Sequence, residues 1–553
     1  MTKRKKRKPA RPRPEQPATP KEALRPPRDW QWWVLSAAIP LVLCASKLDL
    51  DLWYDEAYTL DVFVSQPWLE IATDYSAPNN HVLYSLVLRP VYLLSDSEYL
   101  LRLPSLLFSA GTLAIVFRLA RRWSGLPGGV LATASVGLTQ MFLNHTMQVR
   151  GYGLSMLLAA WLGSIAVAER PDVWWRRAAT IGLVGAAFLY VLPTNLLFFL
   201  PLAAVAVAWT AVRDRRLRSA LSESAAWGLA CLVAGLVYLP ILGPILDLGA
   251  GHQRASPGGV LVLACQVFSA AARDWLPILP LAALGLAFWI RDVLRRPARR
   301  RVVLPLLMLA VLVGPFCLTA VFGVMPFIRN YTPVLPFWGV ALGWLLAELL
   351  AAAGRLVPAV RSDVVQAPLG LILLASVALP RICTYPARLT EHRRREFAQD
   401  GYYDYYAANF HPSEVARYLR QSIGPKERYV ICYADADHFP LWHYLRRVGT
   451  PLERLDRRAP AGPPIVYVIA PARADYEALS AKSGLPVDLI RRFPLVRDFG
   501  YYRLYRSAPG SLRAASGRAV GRSPPALPER PAQRGPSAPN RERTGGPVKG
   551  SPG

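Results

Sequence analysis

The chain has 553 residues, is 53% hydrophobic with a mean hydropathy of +0.22, and carries a net charge of +28. Apolar runs recur from Trp30 to Ile382, many long enough to cross a ~30 Å hydrocarbon core with about 20 residues, which excludes an ordinary soluble multidomain protein. Nucleic-acid binding is also excluded: no recognised binding motif accompanies the charge, and much of it sits in two tracts, 1–28 and 511–553, too poor in apolar residues to fold.

The first tract opens with Lys3-Arg4-Lys5-Lys6-Arg7-Lys8, which should hold the N-terminus in the cytoplasm. No small-residue cleavage site follows, so the first span is expected to be retained rather than removed as a signal peptide. The predicted spans are roughly 31–48, 100–121, 126–143, 152–168, 178–192, 194–211, 222–242, 275–291, 302–323, 332–352 and 364–382. Residues 81–99 are taken as an interfacial helix, because Arg89 interrupts the run and Ser95-Asp96-Ser97-Glu98 follows closely. That choice puts eighteen Lys/Arg in the short inner loops against seven in the outer ones, whereas a crossing at 81–99 would invert every later loop.

The expected fold is a polytopic α-helical membrane protein of about 11 transmembrane helices, followed by a small extracytoplasmic α/β domain. The divisions are 1–29, a disordered cytoplasmic tail; 30–384, the membrane domain, with an outer loop at 49–99; 385–508, the small domain; and 509–553, a second disordered tail. In the small domain a helix is expected from His411, strands at 429–433, 465–469 and 501–505, and a helix over 473–483. The six cysteines show no metal-binding spacing and read as small buried hydrophobes.

Nearly every polar group able to do chemistry falls on the outer face of this thread. The first outer loop carries nine acids, and most are solvated loop residues. Asp55 and Glu56 differ because Trp53-Tyr54 and Tyr58 enclose them. A carboxylate partly desolvated in such a setting should have a raised pKa and accept a proton more readily. Asn79-Asn80-His81 and Tyr84 follow, where a histidine near carboxylates suits a divalent cation or a phosphate. Gln148-Val149-Arg150-Gly151-Tyr152 and Arg329-Asn330-Tyr331 each place an arginine at the outer end of a span. Such an arginine is a snorkelling anchor or a bidentate phosphate ligand, and two on one face favour phosphate. The turn Tyr190–Asn195 and His252 share that face and are weak signals alone.

Taken in order, Asp55-Glu56, Asn79-Asn80-His81-Val82-Leu83-Tyr84, Ser97-Glu98 with Arg102-Leu103-Pro104-Ser105, Gln148–Tyr152, and Arg329–Tyr331 with Pro333 and Pro336 resemble the GT-C membrane glycosyltransferases. The similarity is to the bacterial branch related to protein O-mannosyltransferases and to the aminoarabinose and galacturonic acid transferases of lipid A and core. It spans about residues 30–385 and is best over the first 160. It implies transfer of a sugar, usually with inversion, from a polyprenyl phosphate to a glycolipid, polysaccharide or protein acceptor on the outer face of the cell membrane. Asp55 would then be the general base, with Glu56 shaping the site. Arg150, Tyr152, Arg329 and Tyr331 would hold the departing phosphate; Asn80, His81, Tyr84 and His252 would contact substrate or a metal. Two departures matter: Val82-Leu83 replaces prolines common after the histidine, and Asn79-Asn80 stands where some relatives have an acidic metal ligand. Dependence on a divalent cation is therefore left open. The rival class is a lipid or solute transporter, which predicts mid-membrane charges, of which the spans have few, and matching halves, which this chain lacks.

Overall fold

The computed structural model describes residues 29–168, 173–250, 255–295, 300–396, 410–422, 429–433, 438–449, 465–471, 476–483 and 485–508. Both terminal tracts and His252 lie outside them. The first apolar run forms the helix Asp29–Ala45, and the segment after it breaks into the short helices Tyr54–Tyr58, Trp68–Thr73 and Val82–Leu94. Turn-forming residues punctuate it: Pro67 precedes Trp68, Pro78-Asn79-Asn80 precedes Val82, and Ser95-Asp96-Ser97 stops the third helix. Val82–Leu94 has 13 residues, about 20 Å at 1.5 Å per residue, and falls short of a ~30 Å core.

Beyond it, Glu98–Gly137 joins two expected spans across a kink at Ser124-Gly125, where Gly125 has φ +69° and ψ −170°. Glycine alone adopts that conformation readily. Helix Val334–Leu356 lies along this long element at backbone contact. A Cβ on Gly343 would sit 2.4 Å from the Ala132 nitrogen, and one on Gly339 would sit 2.1 Å from a Val136 methyl. Glycines four apart permit the close packing that holds helices together in lipid, where hydrophobic burial gives no drive.

Among the described residues, five helices are long and apolar enough to cross a membrane, and six if Pro257–Trp275 and Leu279–Arg295, bent by 100°, count as one broken span. Tyr152–Ala166 is a shorter apolar helix. The helix Pro257–Ala272 occupies a stretch expected to be outer loop. The Gly- and Pro-containing residues around it obscure its start, while Ser256 caps it by accepting from the Gly259 amide.

The C-terminal region forms a four-stranded sheet. Strand β1 (Tyr429–Tyr433) runs parallel to β2 (Ile465–Pro471), while β4 (Tyr502–Arg506) is antiparallel to both β2 and β3 (Leu495–Asp498), giving the order β1-β2-β4-β3. Sequence periodicity misses β3, whose four residues are all exposed and so show no alternation. The helix His438–Arg447 is also unanticipated, and it makes much of the contact with the loop that bears Asp55. The Leu52 amide donates to the Tyr444 hydroxyl at 2.8 Å, and the Ser413 amide to Asp51 at 2.8 Å. Asp61 pairs with His443 and Arg446. Phe439 packs its edge against Tyr54 and Tyr58 at 5.2 and 4.9 Å.

Candidate active site

Asp55 and Glu56 are neighbours in the helix Tyr54–Tyr58, yet their carboxylates meet different surroundings. Glu56 is fully buried. One of its oxygens accepts from the Trp53 amide at 2.8 Å and from Arg102 at 3.0 Å; the other accepts from the Val149 amide at 2.7 Å. Arg102, also fully buried, donates further from its terminal nitrogens to the carbonyls of Leu48, Leu50 and Asp51. The pair is closed, so Glu56 positions backbone and has no vacancy for a substrate.

Asp55 is held instead by Asn79 and by two arginines that border a cavity. Arg150 and Arg329 both pair with Oδ2, Arg329 at 3.1 Å, and the Asn79 amide donates to Oδ1 at 3.1 Å. Burial by itself would push this carboxyl up, as the aromatic setting suggested. The guanidiniums of Arg150 and Arg329, with Asn79, outweigh it and hold the group below its ordinary value. The expected rise is therefore overturned by partners that lie far off in sequence.

Arg150 is fixed through the backbone on either side of it. The Val149 amide is held by Glu56, and the Gly151 amide donates to His81 Nδ1 at 2.8 Å. There is no room at Gly151 for a side chain: a Cβ would lie 2.5 Å from Val191 and 2.9 Å from His81 Nδ1. A backbone N–H can only donate, so Nδ1 is an acceptor and the neutral ring carries its hydrogen on Nε2. Burial, then the two arginines, drive the His81 pKa well below its ordinary value, which keeps the ring neutral. Its Nε2 lies 2.9 Å from Arg150 Nη2. Two donors thus face each other, and an anion would satisfy both.

The same tautomer bears on a divalent cation. A protonated Nε2 cannot ligate a metal, and the groups beside it are guanidiniums. Among the described residues no cluster of three or more His, Cys, Asp or Glu could hold one. The donor set fits an anion and does not fit a cation.

These groups border a cavity of about 470 Å³. Arg150, His81 and Arg329 line one part of it with Tyr75, Tyr152 and Asn330; Leu196, Leu197, Ile245, Leu246, Phe322 and Phe327 give it an apolar wall. A mostly apolar lining with a few polar groups, around a cavity of this size, is the usual form of a small-molecule site. Asp55 is not among the lining residues but touches two that are, Arg150 and Arg329.

Several expected site residues serve elsewhere. Asn80 is fully buried, donating to the Ile71 and Asp74 carbonyls and accepting from Ser85, so it clasps the loop. Tyr84 bonds Ser105 at 2.8 Å in the core. Tyr331 pairs its hydroxyl with Thr319 and stacks on Phe316 at 4.8 Å, away from the cavity. Conversely, Asn79 touches both Asp55 and Arg150, a role the sequence could not separate from its neighbour Asn80.

The fold is that of the GT-C membrane glycosyltransferases. Two crystal structures carry the likeness, ArnT from Cupriavidus metallidurans bound to undecaprenyl phosphate and the same protein in the apo state. Each aligns with a TM-score of 0.50 at 16% identity, covering 87% of this chain and 99% of that one. No protein-family model and no curated protein matches the sequence.

Proposed function

We propose that this chain is a membrane glycosyltransferase that moves a sugar from a polyprenyl-phosphate carrier to an acceptor hydroxyl, with its site on the outer face of the cell membrane. The observation that carries this reading is the cavity itself: two guanidiniums that meet at Asp55 share its lining with apolar side chains, which suits a phosphate with a hydrocarbon chain. ArnT, which shares the fold, binds undecaprenyl phosphate.

In the free site both arginines are committed to Asp55. A phosphodiester entering the cavity draws the guanidiniums toward its own oxygens and accepts from His81 Nε2–H. As their hold weakens, the Asp55 carboxylate regains basicity. The acceptor oxygen then attacks the anomeric carbon and gives its proton to Asp55. The carbon–oxygen bond to phosphate breaks, the bonding pair leaves with the phosphate, and the configuration at that carbon inverts. The second negative charge developing on the phosphate is met by Arg150, Arg329 and His81, which are already in place. The glycolipid, polysaccharide or protein nature of the acceptor is a separate question.

The test is transfer from radiolabelled polyprenyl-phosphate sugars to a membrane glycolipid extract by protein in lipid, comparing wild type with Asp55→Asn. Label transfer lost in a folded Asp55→Asn protein supports both the reaction and the base. Equal transfer by the two proteins removes Asp55 from the mechanism. A wild type that neither transfers label nor binds the lipid donor defeats the reading and favours a transporter.

A further inference from the structure

Two residues that line the cavity carry hydroxyls with no hydrogen-bond partner within the protein. Tyr152 opens the helix Tyr152–Ala166, and Thr194 lies in the turn Pro193–Asn195 between two helices; both residues line the cavity. Their hydroxyl oxygens are buried, and neither has a hydrogen-bond partner. Native interiors leave few such groups, and each costs free energy until something pairs with it.

Charge narrows what that something is. Among the described lining residues the basic groups are Arg150, Arg329 and His81, and none is a carboxylate. His81 is neutral while it accepts from Gly151. With a phosphodiester bound, Asp55 balances one guanidinium and the phosphate balances the other. A uronic acid would add an anion with no third cation to meet it. An amino sugar would place an ammonium beside two guanidiniums with no carboxylate to spare. A ring hydroxyl, by contrast, both donates and accepts, as Tyr152 and Thr194 do.

We propose that Tyr152 and Thr194 form the sugar-recognition subsite of this cavity, and that it selects an uncharged sugar through its ring hydroxyls. The proposal rests on the polyprenyl-phosphate reading above and adds the chemical class of the sugar.

The test uses the full chain in lipid nanodiscs and four probes: undecaprenyl phosphate alone, and the same lipid phosphate carrying glucose, 4-amino-4-deoxyarabinose or galacturonic acid. Wild type is expected to bind the glucosyl form about tenfold tighter than the bare lipid, the size of one or two net hydrogen bonds. The two charged forms should gain nothing over the bare lipid. Thr194→Val, close in shape but without the hydroxyl, should bring the glucosyl-to-bare ratio near one, and Thr194→Ser should restore it. Tyr152→Phe should lower the same ratio. Tightest binding of either charged form overturns the proposal, as does a ratio that Thr194→Val and Tyr152→Phe leave unchanged. If bare undecaprenyl phosphate binds wild type but glucose adds nothing, the subsite falls and the carrier reading stands. If the bare lipid does not bind, both fall together.

Discussion

Asp55 and Glu56 are consecutive acids in one five-residue helix, and their comparison separates holding a structure from using it. Glu56 has every partner it needs in Arg102 and two backbone amides, none of which lies on the cavity wall. Asp55 borrows its partners from the cavity, where a ligand competes for them. A closed ion pair specifies shape, whereas an open one stores a response. The buried Arg177–Glu223 pair, in which two guanidinium nitrogens reach the carboxylate and Trp227 donates to it as well, belongs with the closed kind.

The largest effect expected is on chemistry. Asp55→Asn should lower kcat by about 10²–10⁴, the range for losing a general base. Glu56→Ala should act first on stability. Leaving buried Arg102 without its counter-charge should cost about 3–5 kcal/mol of stability, read by unfolding in detergent. If Glu56→Ala kept its stability and lost only turnover, the distinction between the two acids would collapse. Gly151→Ala probes the link between them, because its methyl must displace His81 or Val191. A shift of that kind can cost up to about 10²-fold in turnover, with about 1–3 kcal/mol of overpacking strain.

A pH profile sharpens the comparison further. The proposed proton acceptor is lost as pH falls through the pKa of Asp55, which lies below the ordinary 3.8 while both arginines hold it. The acid limb of kcat/KM, which reports the free enzyme, should therefore show no Asp55 ionisation at mildly acidic pH. In kcat, measured with the donor bound and the guanidiniums drawn to phosphate, the limb should move to higher pH. Coincident limbs would break the proposed competition for the arginines. The smallest effect should come from Arg447→Ala, whose pairs with Glu98 and Asp96 are partly exposed; such surface pairs are worth under about 1 kcal/mol.

Much of this was legible in the chain. The apolar runs foretold the long helices, and the polar residues that interrupt them drew attention to Asp55, His81, Arg150 and Arg329. What escaped was pairing. Which of Asn79 and Asn80 faces the site depends on how the chain enters the helix Val82–Leu94, and composition carries no trace of that. Tyr331 looked equivalent to Tyr152, but its ring found Phe316 and entered the core. Arg102 stood in a recognised motif, while its bond to Glu56 joins residues 46 positions apart. The direction of the Asp55 pKa failed for the same reason, since two distant arginines decided it against the local aromatics.

The seating of the C-terminal region on the Asp55 loop has a consequence in time. The bond from Leu52 to Tyr444 spans 392 residues, and a ribosome adding about 5–20 residues per second needs roughly 20–80 s to make that stretch. The Asp55 loop is therefore made well before this support, and a chain cut short before residue 444 has its apolar helices but not this brace.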